Sequence, residues 1–270
     1  MNYKTDAFLI TCLTNMHVGA GGANYGVVDN LVQRDPVTGM PVIHSSGLKG
    51  ALREFFKNQW GENDQKLNYI FGLDNSRTKT SGKASIGHYK FFGADLIVLP
   101  VRSNKKPFYR ATAKMLVDTI NNKAAAFGIE NLISGNYNYD KSPAIEDNGN
   151  VKLEDWSAQQ QENLTVWNKI GENPAVFNND QFKQLAKHLP VIARNHLENG
   201  ESKNLWYEEV VPRESRFVFF VSVPDGNNHY DKFIDLLTNN TIQIGANASI
   251  GYGYVSIDKL PTIKSTDNEQ

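Results

Sequence analysis

One stretch of the sequence, residues 17–53, concentrates the residue types that could carry chemistry. It begins at His17, passes through a glycine-rich loop at residues 19–26 and reaches an isolated acid, Asp29. A lone carboxylate on a loop can move a proton or hold a divalent cation, and imidazole exchanges protons near neutral pH. Both residue types also have plainer roles, because aspartate often caps turns and histidine often bonds to nearby backbone. The sequence predicts a candidate reactive loop and leaves these roles open.

The second half of this stretch predicts an anion-binding helix start. Apolar spacing indicates a helix that ends near Trp60, with Ser45 and Ser46 placed to cap its first turn. Lys49 and Arg53 lie one turn apart, and the amides of a helix start attract anions. The pattern favours phosphate binding, although both bases could instead be ordinary solvated helix residues.

Length and composition limit the class of protein to which this chain can belong, but they do not indicate a function. The 270 residues allow one large domain or two small ones. The single cysteine, Cys12, cannot form an internal disulfide, which favours a reducing, cytoplasmic setting. No signal peptide or transmembrane stretch is evident. The net charge of -1 argues against binding nucleic acid through overall basicity, yet residues 71–114 hold nine basic and two acidic side chains.

Hydrophobic patterns elsewhere predict strands alternating with helices. The predicted strands are residues 7–13, 27–33, 40–43, 94–101, 206–211, 217–223 and 241–246. The predicted helices beyond the first are residues 109–127, 181–198 and 230–237. A proline near the end of the 94–101 strand suggests an edge or a bulge there. Together these elements predict an α+β fold of ferredoxin-like type that carries insertions.

Several segments in a fixed order resemble one family. They are H-x-G-x-G from His17, VVDN at 27–30, SSGLKGALR at 45–53, PVRS at 100–103, YEEVVP at 207–212 and IGANASIGYGYV at 244–255. The chain thereby resembles the RAMP-type backbone subunits of type III CRISPR effector complexes. More narrowly, it is similar to the repeated backbone subunit of the type III-B, or Cmr, complex. The helix start departs from the common GSSLKG pattern, because here it is HSSGLKG.

The resemblance implies a domain layout. The whole chain, residues 1–270, would form a single RAMP domain with a ferredoxin-like, RRM-derived core. That core would cover approximately residues 7–127 and 200–257. Residues 128–180, rich in asparagine and weakly periodic, would be an insertion, and residues 262–270 a disordered tail.

The resemblance also implies an activity and partners. Copies of the chain would polymerise into a helical filament along a CRISPR guide RNA, together with other Cmr complex subunits. Each copy would push a thumb hairpin through the guide–target duplex and cleave complementary single-stranded target RNA at regular intervals. Three basic residues that could sit on the thumb are Arg77, Lys79 and Lys83.

By this resemblance the catalytic residues are Asp29 and His17, and the predicted strand alternation adds Glu209, with Tyr207 on the same face as a positioning hydroxyl. Glu208 and Glu209 are adjacent on a predicted strand, so they should face opposite sides, and we favour Glu209 for the site. A divalent metal ion, Mg or Mn, is expected without a recognisable metal site in the sequence. The expected guide-RNA contacts are Lys49, Arg53, Arg34, Ser45, Ser46, Gly19, Gly21, Gly251 and Gly253.

Two other functions stay open at this point. A non-catalytic scaffold subunit would bind guide RNA and its neighbours only, in keeping with the near-neutral charge. A ribonuclease that processes precursor CRISPR RNA would cut repeat RNA without partners.

Overall fold

The computed structural model describes residues 2–21, 26–73, 86–139 and 141–261. The α-helices in these ranges are α1 (Ser45–Trp60), α2 (Gln65–Phe71), α3 (Lys114–Ala126), α4 (Asn179–Lys187) and α5 (Tyr230–Thr238). Among the helices of these ranges, none combines the length and the hydropathy that a membrane crossing requires. Predicted thumb residues Arg77, Lys79 and Lys83 and the 262–270 tail lie outside the described residues.

The strands, in chain order, are β1 (Tyr3–Cys12), β2 (Val42–Ile43), β3 (Lys90–Phe91), β4 (Ala94–Arg102), β5 (Phe108–Ala113), β6 (Ala144–Ile145), β7 (Lys152–Leu153), β8 (Trp156–Ser157), β9 (Gln159–Gln160), β10 (Pro174–Phe177), β11 (Val191–Glu198), β12 (Glu201–Glu209), β13 (Arg216–Pro224), β14 (Ile242–Gln243) and β15 (Tyr254–Lys259). The main sheet has the order β14-β15-β1-β13-β4-β5-β10-β6-β9. Strands β11 and β12 form a separate hairpin.

The centre of the sheet has the predicted ferredoxin-like arrangement. Strands β15, β1, β13 and β4 lie side by side, and each pairs antiparallel with its neighbour. In sequence, α1 falls between β1 and β4, and α5 falls between β13 and β15. The two helices meet where the rings of Phe56 and Phe233 stack with centroids 5.0 Å apart. The α+β prediction is therefore confirmed.

Continuous apolar runs explain the central strands. Residues 217–221 of β13 are at most 1% exposed, so this strand is covered on both faces. The rings of Phe8 and Phe219 stack across β1 and β13 at 5.1 Å. Burying each such side chain contributes roughly 1.5–3 kcal/mol. Pro100 pairs with Arg110 of β5 but lies beyond Val98, the last β4 residue paired with β13. Its missing N–H is therefore tolerated.

Two helix predictions were wrong in part. Residues 109–113 belong to strand β5, and helix α3 begins only at Lys114, because the apolar residues that indicated a helix all follow that point. Residues 191–198 form strand β11 rather than the end of a helix. The two-residue turn after β11 is Asn199-Gly200, with φ of 52° and 83°. This pair is typical of a type I′ hairpin turn and was a sequence signal for the hairpin.

The segment predicted as an insertion contributes to the main sheet. Its strand β10 pairs parallel with β5, and β6 pairs antiparallel with β10. Buried side chains such as Ile145 and Phe177 join it to the common core. Residues 27–33 differ from the predicted strand, since their sheet contacts are single bridges at Asn30 and Val32.

Candidate functional site

Asp29 lies on an exposed loop that is fixed to the end of strand β12. Its Oδ2 atom accepts a 2.7 Å hydrogen bond from the Tyr207 amide. In return, the Asp29 amide donates to the Tyr207 carbonyl oxygen at 3.0 Å. The side chain is on the surface and outside the core, so a ligand can reach it. The carboxylate is therefore both oriented and accessible.

Asn30 continues this attachment by one residue. Its amide also donates to the Tyr207 carbonyl oxygen, at 3.2 Å, and its own carbonyl oxygen accepts from the Glu209 amide at 2.9 Å. These bonds make a parallel bridge between Asn30 and Glu208. The position of the Asp29 loop therefore depends on the position of residues 207–209.

His17 is buried beneath this attachment and is only 5% exposed. Its Nδ1 atom lies 2.7 Å from the Glu209 carbonyl oxygen, and because a carbonyl oxygen only accepts, we assign the proton to Nδ1. The other nitrogen, Nε2, lies 3.7 Å from Glu208 Oε1. Gly19 leaves room for the ring, since a Cβ atom there would lie 3.1 Å from Nε2. His17 thus contacts both Glu208 and Glu209 at the end of β12.

Glu208 faces His17 and has further polar partners. The residue is 4% exposed, and its Oε2 atom lies 3.0 Å from an Arg194 nitrogen. The Asn247 side-chain amide also donates to Oε2, at 2.9 Å. A buried carboxylate is stable only when such partners replace water.

Glu209, which the sequence analysis favoured for the site, is used internally. Its Oε1 atom lies 2.5 Å from an Arg34 nitrogen, and its Oε2 atom accepts from the Val32 amide. Arg34, an expected guide contact, also donates to the carbonyl oxygens of Gly39 and Ala186. The Tyr207 side chain, by contrast, is exposed to 38%.

The start of α1 presents cations but lacks the predicted serine cap. His44 occupies the N-cap position, and its side chain makes no capping hydrogen bond. Ser45 and Ser46 are exposed. Burial, helped by the charges of Lys90 and Arg53, lowers the pKa of Lys49 below its usual value. The start of α1 contacts the segment that follows Asp29, because Gln33 Oε1 accepts a hydrogen bond from the His44 amide at 2.9 Å.

The C-terminal glycine loop packs against the chain around His17. The Ala246 amide donates to the His17 carbonyl oxygen, and a Cβ atom on Gly245 would lie 2.4 Å from that oxygen. Gly253 is buried with a φ of 77°, and a Cβ there would meet the Ile244 oxygen at 2.0 Å. Gly251, like Gly21, is exposed and has open space around its Cα. Close packing therefore requires glycine at positions 245 and 253, whereas Gly21 and Gly251 lie on the surface.

Comparison with known proteins agrees with this architecture. The family described as the RAMP superfamily matches residues 9–256. The chain belongs to the RAMP superfamily. Within this RAMP chain, the matched range contains all the site residues described above.

Relatives of this RAMP chain include a protein of a CRISPR system. The chain is 26% identical to the CRISPR system Cmr endoribonuclease Cmr4 of Pyrococcus furiosus, over 95% of this chain and 94% of the relative. It resembles a chain of the type III-B Cmr-beta complex bound to cognate target RNA, with a TM-score of 0.72, 20% identity and coverage of 94% and 96%. It also resembles oligomeric Cmr4 from Pyrococcus furiosus, with a TM-score of 0.68, 20% identity and coverage of 96% and 99%. The solved structures show the fold.

Two residues of the RAMP site were missed from the sequence. Arg194 was assigned to a helix, and only the Asn199-Gly200 turn signal would have placed it on a hairpin facing Glu208. Asn247 has a φ of 66°, which is unusual for a residue with a side chain, and it directs its amide to Glu208.

A metal ion in this RAMP site would depend mainly on Asp29. No group of three or more His, Cys, Asp or Glu side chains that could hold a metal is found among residues 2–21, 26–73, 86–139 and 141–261. Mg²⁺ commonly keeps several waters and binds through one or two carboxylates together with phosphate oxygens. An exposed, oriented aspartate fits that binding mode.

Proposed function

We propose that this RAMP protein is a backbone subunit of a type III-B CRISPR complex that binds guide RNA and cleaves complementary single-stranded target RNA at regular intervals. The observation that carries the proposal is the exposed Asp29 carboxylate, oriented by the Tyr207 amide. A relative that aligns over 95% of the chain is a Cmr endoribonuclease. The Asp29 loop is where this chain would contact the scissile phosphate.

RNA cleavage of this kind can use the 2′-hydroxyl of the target strand as nucleophile. Its oxygen bonds to the adjacent phosphorus, the bond from phosphorus to the 5′-oxygen breaks, and that oxygen takes a proton from water. The products are a 2′,3′-cyclic phosphate and a 5′-hydroxyl. Asp29 would accept the 2′-hydroxyl proton or help to hold a divalent ion with the phosphate oxygens. Such an ion, Mg²⁺ or Mn²⁺, would supply charge stabilisation. His17 and Glu208 are buried and would hold the strand end that orients Asp29.

Guide binding is proposed for the start of α1 and the exposed glycines. Lys49, Arg53 and the first amides of α1 can contact phosphates, and Gly21 and Gly251 let a backbone approach closely. Contacts of this kind set register, while base pairing with the guide reads the target sequence. Arg34 is a weaker candidate, because Glu209 and two carbonyl oxygens occupy it.

The β11–β12 hairpin is the proposed thumb. Eight residues of β11 extend about 25 Å. One hairpin face carries apolar side chains that are exposed, including Leu205 at 54% and Tyr207 at 38%. Tyr207 also holds Asp29 through its backbone, so the same strand would displace a target nucleotide and position the carboxylate. This arrangement would place one cleavage site beside each thumb.

Assembly partners are proposed from the same relatives. Copies of this chain would form a helical filament with guide RNA, and other Cmr subunits would complete the complex. A solved relative is oligomeric, and a solved complex that contains a similar chain is bound to target RNA. We place the assembly in the cytoplasm, where a buried free thiol such as Cys12 stays reduced.

The deciding experiment is Asp29→Asn in complexes assembled with guide RNA and Mg²⁺. Asparagine keeps an oxygen that can accept from the Tyr207 amide, but it loses the charge and basicity of the carboxylate. We expect normal assembly, normal target affinity and no cutting at the regular intervals. Undiminished cleavage by the assembled variant would refute the role of Asp29.

Shortening the hairpin tests the thumb. Replacing residues 197–203 with Asn-Gly, which rejoins the paired residues His196 and Asn204, should preserve the fold, because the removed tip residues lie in exposed positions. Target RNA should still pair with the guide, but cleavage should lose its regular spacing. Unchanged product lengths would contradict the assignment of this hairpin as thumb.

A non-catalytic scaffold is the second candidate, favoured by the burial of His17 and the internal use of Glu209. The cleavage assay on assembled wild-type complex separates it from the main proposal. A processing ribonuclease is the third candidate, and cutting of repeat RNA by the lone chain would support it.

A further inference from the structure

Arg194 lies where three parts of the site meet. Its guanidinium donates to Glu208 Oε2 at 3.0 Å and is only partly exposed, with 20% of the side chain accessible. Its central carbon lies 5.5 Å from the Trp206 ring, which faces it across the hairpin, and 5.8 Å from the Tyr252 ring of the C-terminal glycine loop. One side chain thus connects the hairpin, the glycine loop and the buried carboxylate.

The charge of Arg194 has a specific use at this position. Glu208 is 4% exposed, and its other described polar contacts are the Asn247 amide and the His17 ring. Because His17 Nδ1 donates to the Glu209 carbonyl oxygen, only Nε2 of the ring faces Glu208, at 3.7 Å and beyond hydrogen-bond reach. Arg194 is therefore the permanent cation in contact with this buried carboxylate.

The residues beside Glu208 carry the effect to Asp29. Tyr207, on one side, bonds to Asp29 through both its amide and its carbonyl oxygen. Glu209, on the other side, donates its amide to Asn30 and accepts from His17. Holding the Glu208 side chain consequently fixes the short strand segment from which the Asp29 loop is suspended.

We propose that Arg194 is a positioning residue for the cleavage reaction, holding Glu208 so that residues 207–209 present Asp29 to the target strand. This inference rests on the proposed function. It also couples the two ends of β12, since the strand that leads to the hairpin tip is the strand that orients the carboxylate. A guanidinium suits this role because it can pair with a carboxylate and contact aromatic rings at the same time.

The test compares three variants in complexes assembled with guide RNA. Arg194→Gln removes the charge, and Arg194→Lys keeps a charge without the planar group. Arg102→Gln is the matched control, because Arg102 also pairs with a glutamate, Glu154, at 2.8 Å, but its side chain is 85% exposed and away from these contacts. Single-turnover cleavage is measured at saturating target, and target affinity is measured separately with Asp29→Asn in the background to prevent cutting.

We expect Arg194→Gln to slow single-turnover cleavage by about 10²-fold with unchanged target affinity, as displacements of about 1 Å can cost that much. Arg194→Lys should recover part of the rate, and Arg102→Gln should cleave like wild type. Wild-type rates for Arg194→Gln would overturn the proposal. A loss of assembly or target affinity that accounts for the whole rate loss, in both Arg194 variants, would also overturn it, because Arg194 would then be a structural contact only.

Amide hydrogen exchange on the isolated chain provides a readout that does not depend on cleavage. Arg194→Gln should accelerate exchange at Asp29, Asn30, Tyr207 and Glu209, and Arg102→Gln should not. Unchanged exchange at these amides would refute the positioning role, even if the complex cleaves RNA. If wild-type complexes do not cleave at all, the proposed function fails, and that failure is distinct from a failure of Arg194 to order the loop.

Discussion

The Tyr207 amide donates a 2.7 Å hydrogen bond to Asp29 Oδ2, and the two residues are 178 positions apart in the sequence. The Asp29 amide returns a 3.0 Å bond to the Tyr207 carbonyl oxygen. The candidate catalytic carboxylate is thus oriented by backbone from the base of the proposed thumb. The orientation of the Asp29 carboxylate therefore depends on the tertiary structure and cannot arise from the local segment around Asp29 alone.

Arg34→Ala should destabilise the fold rather than simply weaken RNA binding. The substitution leaves the Glu209 carboxylate buried without its cation, and such losses cost about 3–5 kcal/mol. Urea unfolding of the isolated chain measures the change. Arg102→Ala is the control, because its exposed pair with Glu154 should contribute about 0–1 kcal/mol. Full stability together with weaker guide binding would instead restore Arg34 as an RNA contact.

Lys49→Gln should reduce the salt dependence of guide binding. Burial, followed by repulsion from the charges of Lys90 and Arg53, lowers the pKa of Lys49, so a phosphate there relieves repulsion. Removing one phosphate contact should lower the slope of log K against log salt by about 0.7 for single-stranded RNA. Fluorescence titrations over a range of salt concentrations give the slope. An identical slope for wild type and Lys49→Gln would exclude Lys49 from the guide-binding surface.

Gly253→Ala should destabilise the protein more than Gly251→Ala does. Both glycines have positive φ, which costs a residue with a Cβ about 1–2 kcal/mol. Only Gly253 has a neighbour in the way, since its Cβ would lie 2.0 Å from the Ile244 carbonyl oxygen. Thermal unfolding of the two variants measures the difference. Equal losses would show that the loop relaxes freely around Gly253.

Asp147 should contribute to the loss of stability in acid. Hydrogen bonds from Lys106, which has the largest effect, and from Tyr109 lower the pKa of Asp147 from 3.8 to about 2. Because the folded-state pKa is depressed, this stabilisation is complete above about pH 4 and disappears as the pH falls towards 2. Asp147→Asn should remove that part of the pH dependence. Unfolding free energies measured between pH 5 and 2 for both proteins test this, and parallel curves would contradict it.

Local patterns in the sequence were sufficient for the elements whose hydrophobic pattern is regular along their whole length. Helix α1 was predicted with its observed end because its apolar residues repeat with helical spacing. Strands β4 and β13 were predicted because continuous apolar runs of that length are typical of buried strands. The ordered motifs were also sufficient to indicate the RAMP family, which the match to residues 9–256 confirms.

The arrangement of the site was decided only by the tertiary structure. Sequence alternation shows that Glu208 and Glu209 point in opposite directions, but it does not show which one meets Arg34 and which one meets His17. Those partners come from segments more than a hundred residues away, and their approach depends on how the hairpin and the glycine loop pack. The role of Arg194 could not be predicted from the sequence for the same reason. A charged residue on an exposed strand gains such a role only from the buried carboxylate, Glu208, that folding brings next to it.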